Sequence, residues 1–213
     1  MKYLTIVTLG NSITNGIREG VDEADTYRHI LQQELSKAIK HEVKVINAGV
    51  NGDITTTAIG RLKKDVLKYN PDYVTIMFGV NDAGYYRPAT DSMADTPRVS
   101  SINFKRNLEV IIQSIKNINS KPVLITPVPM NSNYAHKDFP AYIKNGLNYL
   151  VDEYSHIIRH IALDANIPLI DVHKAFSKNT RSKEMVPDGI HPNKDGHKLI
   201  SRIFLENFLK LIE

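Results

Sequence analysis

Five short runs rich in β-branched residues recur along the chain, at 3–9, 43–46, 73–78, 123–126 and 168–172. A stretch of helical period follows each of them. Compact apolar runs without polar alternation suit strands covered on both faces of a sheet. The intervening stretches place apolar residues three and four apart, which gives each a single buried face. Examples are Tyr27, Leu31, Leu35 and Ile39, then Ile59, Leu62 and Val66, then Phe104, Leu108, Ile111, Ile112, Ile115 and Ile118. One continuous helical stretch is expected from 143 to 165, through Leu147, Leu150, Tyr154, Ile157, Ile158 and Ile161, and a last one carries Leu199, Ile200, Ile203, Phe204 and Phe208. Strand and helix alternating five times predict an α/β fold, a three-layer α/β/α sandwich around a five-stranded parallel sheet. Right-handed crossovers make it flavodoxin-like. No repeat, low-complexity segment or linker interrupts the pattern, and 213 residues are enough for one buried core, so 1–213 is expected to be a single domain.

Bulk properties narrow the function. The net charge of +4 is spread without a block of like charges, which speaks against a nucleic-acid partner. The chain has no cysteine, which excludes disulfides, a thiol nucleophile and thiolate-bound zinc. No run approaches the roughly 18 apolar residues of a membrane span. The opening "MKYLTIVTLGNS" is too short for a leader with a cleavage site, so a cytoplasmic location is expected. The oligomeric state is left open.

In an open parallel sheet, ligands bind beyond the carboxyl ends of the strands. Four polar, glycine-bearing turns fall there: Gly10-Asn11-Ser12 after the first strand, "NAGVNGDIT" after the second, "GVND" after the third, and "VPDGIHPNKDGH" beyond the fifth. Together they hold the parts of acyl transfer, which needs a hydroxyl nucleophile, a base, a group that orients the base, and donors for the developing oxyanion. Ser12 supplies the hydroxyl. His191 accepts its proton, and Asp188, three residues earlier, reaches the other ring nitrogen. The backbone N–H groups of Ser12 and Gly52 and the Asn81 side-chain amide are the oxyanion donors. Glycine at 52 lets the backbone approach a substrate closely. The pattern Gly10-Asn11-Ser12-Ile13-Thr14 lacks the second glycine of the α/β-hydrolase nucleophile elbow.

The ordered set "GNSIT", "NAGVNGD", "GVND" and "DGIHPNKDGH" resembles the SGNH hydrolases, also called GDSL esterases and lipases, over nearly the whole chain. The resemblance implies a flavodoxin-like fold and a serine esterase that needs no metal and no cofactor. It puts the family's serine on Ser12, its glycine on Gly52, its asparagine on Asn81, its histidine on His191 and its acid on Asp188. It departs from the family at Asn11, where aspartate is usual; asparagine keeps the size and the hydrogen bonding but not the charge.

Plainer roles compete at several positions. Ser12 is also a good helix cap. Asp82 is read as structural, bonded to backbone in its loop. Tyr85, Tyr86 and Arg87 either touch substrate or merely pack the loop at 83–101, and Tyr134 and His136 raise the same question in the loop at 127–140. His156 and His160 have ligand spacing but read as a solvated or packed helix face rather than a metal site. The expected substrate is a small-molecule or carbohydrate ester with a short acyl group such as acetyl, because no apolar lid is evident. Lysophospholipase or thioesterase activity, acyl transfer to an alcohol, and ligand binding without turnover are the alternatives.

Overall fold

The computed structural model describes residues 3–212. Its main sheet has five strands, all parallel, in the order β2-β1-β3-β6-β7. These are β1 (Leu4–Gly10), β2 (Val43–Gly49), β3 (Tyr73–Met77), β6 (Lys121–Ile125) and β7 (Leu169–Ile170). Strands β4 (Tyr86–Arg87) and β5 (Ser92–Met93) form a small antiparallel hairpin in the loop after β3. The sheet order and the helices on both faces match the expected flavodoxin-like sandwich.

The central strands behave as their composition predicts. All five residues of β3 are buried, as are the last five of β1, whereas edge strand β2 is partly exposed. Helix α2 (Tyr27–Ile39) packs on β2 and against α9 (Lys194–Ile212). A second layer is built from α3 (Thr55–Asp65), α4 (Ser101–Lys116) and α6 (Tyr149–Asp164), in contact in that order. The apolar stripe of α4 is buried at Phe104, Leu108, Ile111, Ile112 and Ile115. Each such side chain contributes about 1.5–3 kcal/mol of transfer free energy, which is why the helical period is obeyed so strictly. The short helices α1 (Ser12–Asn15), α5 (Pro140–Asn145), α7 (Val172–Lys178) and α8 (Ser182–Met185) complete the chain.

Three details differ from the sequence pattern. The stretch at 143–165 is two helices, α5 and α6, not one. Gly146 sits at φ +95°, outside helical space, and ends α5. The break frees Asn148, whose side chain both accepts from the Met130 N–H and donates to the Met130 carbonyl, each at 2.8 Å. The final strand, expected over 168–172, is only two residues long, because Asp171 turns out of the sheet to cap α7 through the Lys174 N–H. Finally, the cap of α1 is Asn11, not Ser12: the Asn11 Oδ1 accepts from the Ile13 N–H at 3.0 Å.

Candidate active site

The carboxyl ends of β1, β2, β3 and β6 and the turn before α9 converge on one pocket of about 300 Å3. Ser12, Gly52, Asn81 and His191 all line it. Two glycines keep the first turn tight and let it meet the second. A Cβ on Gly10 would fall 2.1 Å from the Thr14 Oγ1, inside the Ser12 turn itself, and one on Gly49 would fall 2.2 Å from the Asn15 backbone nitrogen. A side chain at Gly49 would push the Ser12 turn away from its neighbour.

Ser12 is 7% exposed, and its Oγ lies 2.9 Å from the His191 Nε2. The His191 Nδ1 lies 2.6 Å from the Asp188 Oδ2. The other carboxylate oxygen of Asp188 accepts from the backbone N–H groups of Ile190 (3.0 Å) and His191 (2.7 Å), which fixes the turn and the imidazole together. Arg18 adds a contact to the Asp188 Oδ2 at 3.2 Å. Burial acts to raise the Asp188 carboxyl, but the His191 hydrogen bond and the two backbone N–H groups outweigh it and hold it well below the usual carboxylate range. Asp188 is therefore an anion at neutral pH, so His191 Nδ1 keeps its proton and Nε2 is the acceptor facing the serine. A hydroxyl, an imidazole and a carboxylate thus stand in line, the geometry that a proton relay ending at Ser12 requires.

The donors opposite this relay are braced from behind. Gly52 adopts φ +74°, a left-handed conformation open to glycine, and its N–H meets no acceptor among the described residues. The Asn81 Nδ2 donates to the Asp53 carbonyl at 3.0 Å, which leaves its second N–H for a ligand. Arg61, from α3, ties the layer together: it reaches the Asp53 carboxylate through Nε (2.8 Å) and Nη2 (2.5 Å), the Ala48 carbonyl at 2.8 Å and the Gly10 carbonyl at 3.0 Å. One guanidinium thus clamps the turns after β1 and β2 against α3.

Two buried ionisable groups stand just behind the pocket. The Asp82 Oδ1 accepts from the Thr55 N–H (2.8 Å) and hydroxyl (2.6 Å) at the start of α3, while Oδ2 has no hydrogen-bond partner among the described residues. Burial pushes this carboxyl up to about 6 against the pull of the Thr55 bonds. His197 is fully buried and lies against Tyr27, whose backbone N–H donates to its Nδ1 at 3.2 Å. Its proton accordingly sits on Nε2, which has no acceptor among the described residues. Burial, then the nearby Arg18 and Arg28 charges, push His197 down to about 4.

The expected loop residues separate into distinct roles. Tyr86 lines the pocket and stacks on His136, and Tyr134 lines it from the opposite loop. Tyr85 is buried instead, packed against Phe139 and Tyr142. Arg87 is spent on the carbonyls of Gly84, Tyr85, Thr96 and Pro97, so it organises its own loop. Asp82 has a structural role, but its carboxylate bonds Thr55 at the start of α3, where the sequence reading expects the backbone of its own loop. His156 and His160 lie on the exposed face of α6. Sequence reading passed over Arg18, Arg61 and Arg98. Only Asp53, eight residues before Arg61 and inside the "NAGVNGD" motif, offered a local hint of one of them.

Comparison with known proteins bears on the whole chain. The profile of the GDSL-like Lipase/Acylhydrolase family matches residues 8–199. Among solved structures, the lipase/acylhydrolase from Enterococcus faecalis superposes with a TM-score of 0.79 at 28% identity, covering 97% of this chain and 96% of that one. The acetyl xylan esterase AlAXEase gives 0.74 at 27% identity, over 95% and 98% of the two chains. The uncharacterized lipoprotein YqeF of Bacillus subtilis (strain 168) is 29% identical over 186 residues, 82% of this chain and 72% of its own.

Proposed function

This chain belongs to the GDSL-like lipase/acylhydrolase family and is a carboxylic ester hydrolase, and from that premise we propose that it cleaves short-acyl esters, acetyl esters of carbohydrates foremost, through an acyl-enzyme on Ser12. The observation that carries the reading is the unbroken chain from the Ser12 Oγ to the His191 Nε2 (2.9 Å) and from the His191 Nδ1 to Asp188 (2.6 Å), opening on the pocket.

In this mechanism His191 takes the Ser12 proton as the Oγ attacks the ester carbonyl carbon. The carbonyl oxygen becomes an oxyanion held by the N–H groups of Ser12 and Gly52 and by the Asn81 amide. Collapse expels the alcohol, which receives the proton from His191 and leaves the acyl group on Ser12. Water then repeats the sequence: His191 deprotonates it, the hydroxide attacks the acyl carbon, and the proton returns to Ser12. Asp188 holds the imidazole in the working tautomer and balances the imidazolium that forms in each half-reaction. Asn11 fits this role without a charge, since what its side chain supplies is a cap for the Ile13 N–H.

Two features support a short acyl group. The pocket is small, about 300 Å3. The similarity to an acetyl xylan esterase points the same way. The test is hydrolysis of nitrophenyl esters of two to twelve carbons by this protein and by its Ser12→Ala variant. Activity should fall as the acyl chain lengthens, and loss of the hydroxyl should cost at least ~10³-fold in kcat/KM. Equal rates for the two proteins would refute the nucleophile, and a preference for long chains would refute the short-acyl reading.

A further inference from the structure

The pocket is lined by two guanidinium groups and by no carboxylate side chain. Arg18 is spoken for, since its Nη1 lies 3.2 Å from Asp188. Arg98 is not. Its backbone N–H is fixed on the Gly84 carbonyl at 2.9 Å, and its Nη1 donates to the Gly52 carbonyl at 2.9 Å. No other acceptor among the described residues takes its remaining side-chain N–H groups, and it forms no ion pair there. Of the two nearby acids, Asp53 is paired with Arg61 and Thr57, while Asp82 bonds Thr55 through one oxygen and acts on Arg98 through space, without a hydrogen bond or ion pair to it. A half-buried cation normally has a counter-charge, because desolvation without one is costly. Here the fork of a guanidinium, suited to planar oxyanions, lies beside the glycine that flanks the reacting carbonyl.

We propose that Arg98 is a specificity-determining residue that grips an anionic group, a carboxylate or a phosphate, on the alcohol part of the ester. The inference rests on the serine-esterase reading above and adds the charge of the substrate to it. Arg98 and Tyr86 line the same pocket as Ser12, Gly52 and Asn81, and the proposal sets the alcohol part of the ester against that wall. The anion supplies the direct ion pair that Arg98 lacks among the described residues, and the Gly52 carbonyl holds the guanidinium in place to receive it.

The test compares three aryl acetates that differ at one para position: 4-acetoxybenzamide, which is neutral, 4-acetoxybenzoate and 4-acetoxyphenyl phosphate. Values of kcat/KM are measured for the unaltered protein and for Arg98→Gln, with nitrophenyl acetate and Ser12→Ala as controls. The quantity read is the ratio of anionic to neutral substrate; comparing that ratio between the two proteins cancels differences in leaving group. It should fall by ~10- to 100-fold in Arg98→Gln, carried mainly by KM, as expected for losing charge-assisted hydrogen bonds. In the unaltered protein the same ratio should shrink as salt rises from about 10 mM to about 0.5 M. The benzoate and phosphate arms separate a carboxylate site from a phosphate site. If Arg98→Gln slows all three esters by one factor, Arg98 only braces Gly52 and the proposal is overturned. A ratio insensitive to salt, or turnover of nitrophenyl acetate but of none of the three, overturns it too. Nitrophenyl acetate hydrolysis that survives Ser12→Ala would instead overturn the underlying mechanism.

Discussion

Asp82 and His197 should make opposite contributions to the pH dependence of folding, and two substitutions can separate them. His197 is pushed from 6.5 to about 4 by burial in the folded protein. The unfolded chain therefore takes up a proton first as the pH falls, and His197 drains stability between pH 6.5 and 4. A shift of roughly 2.5 units corresponds to about 3 kcal/mol. Asp82 runs the other way: its carboxyl is raised from 3.8 to about 6. The unfolded chain ionises first as the pH rises, so Asp82 drains stability between pH 4 and 6, again by about 3 kcal/mol. In the unaltered protein the two largely cancel across this window. Urea unfolding at half-unit steps from pH 4 to 7 should reveal each one when the other is removed. His197→Gln should gain about 3 kcal/mol relative to the unaltered protein as the pH falls from 6.5 to 4. Asp82→Asn should gain a similar amount relative to it as the pH rises from 4 to 6.5. Only the pH dependence of each difference is read, so the fixed cost of a substitution and the titration of all other groups drop out. A difference constant to within about 0.5 kcal/mol across the window would refute the reasoning for that residue.

Two further outcomes follow from the pocket wall. Asn81→Ala removes one oxyanion donor and should lower kcat on nitrophenyl acetate by about 10²-fold with a smaller change in KM; kcat within threefold of the unaltered protein would show that Asn81 only ties its loop to Asp53. Gly49→Ala drives a Cβ to 2.2 Å from the backbone of Asn15, which cannot rotate aside. It should cost on the order of 2–3 kcal/mol, seen as a Tm lowered by roughly 5–10 °C, and an unchanged Tm would show that the first two turns have room to separate.

Local pattern carried much of this fold. Unbroken apolar runs and period-3.6 hydrophobicity are properties of neighbours in sequence, so the sheet and its covering helices can be read before any contact is known. The same holds for the turns, because glycine, asparagine and aspartate mark chain reversals through their own backbone chemistry. What the pattern could not carry was set by side chains far apart. Ser12 and His191 are 179 residues apart and come within 2.9 Å only because β1 is an interior strand of the sheet and the turn before α9 folds back over its end. The break at Gly146 lies inside an unbroken helical period, and the docking of Asn148 on Met130 helps fix it. Tyr85, Tyr86 and Arg87 are adjacent and aperiodic, yet one is core, one lines the pocket and one binds carbonyls. Arg18, Arg61 and Arg98 look alike in the sequence. Their separate roles, as a partner of Asp188, as a clamp on two turns and as a cation on the pocket wall with no ion pair among the described residues, arise from which acids lie within reach, and that distance only the packed chain sets.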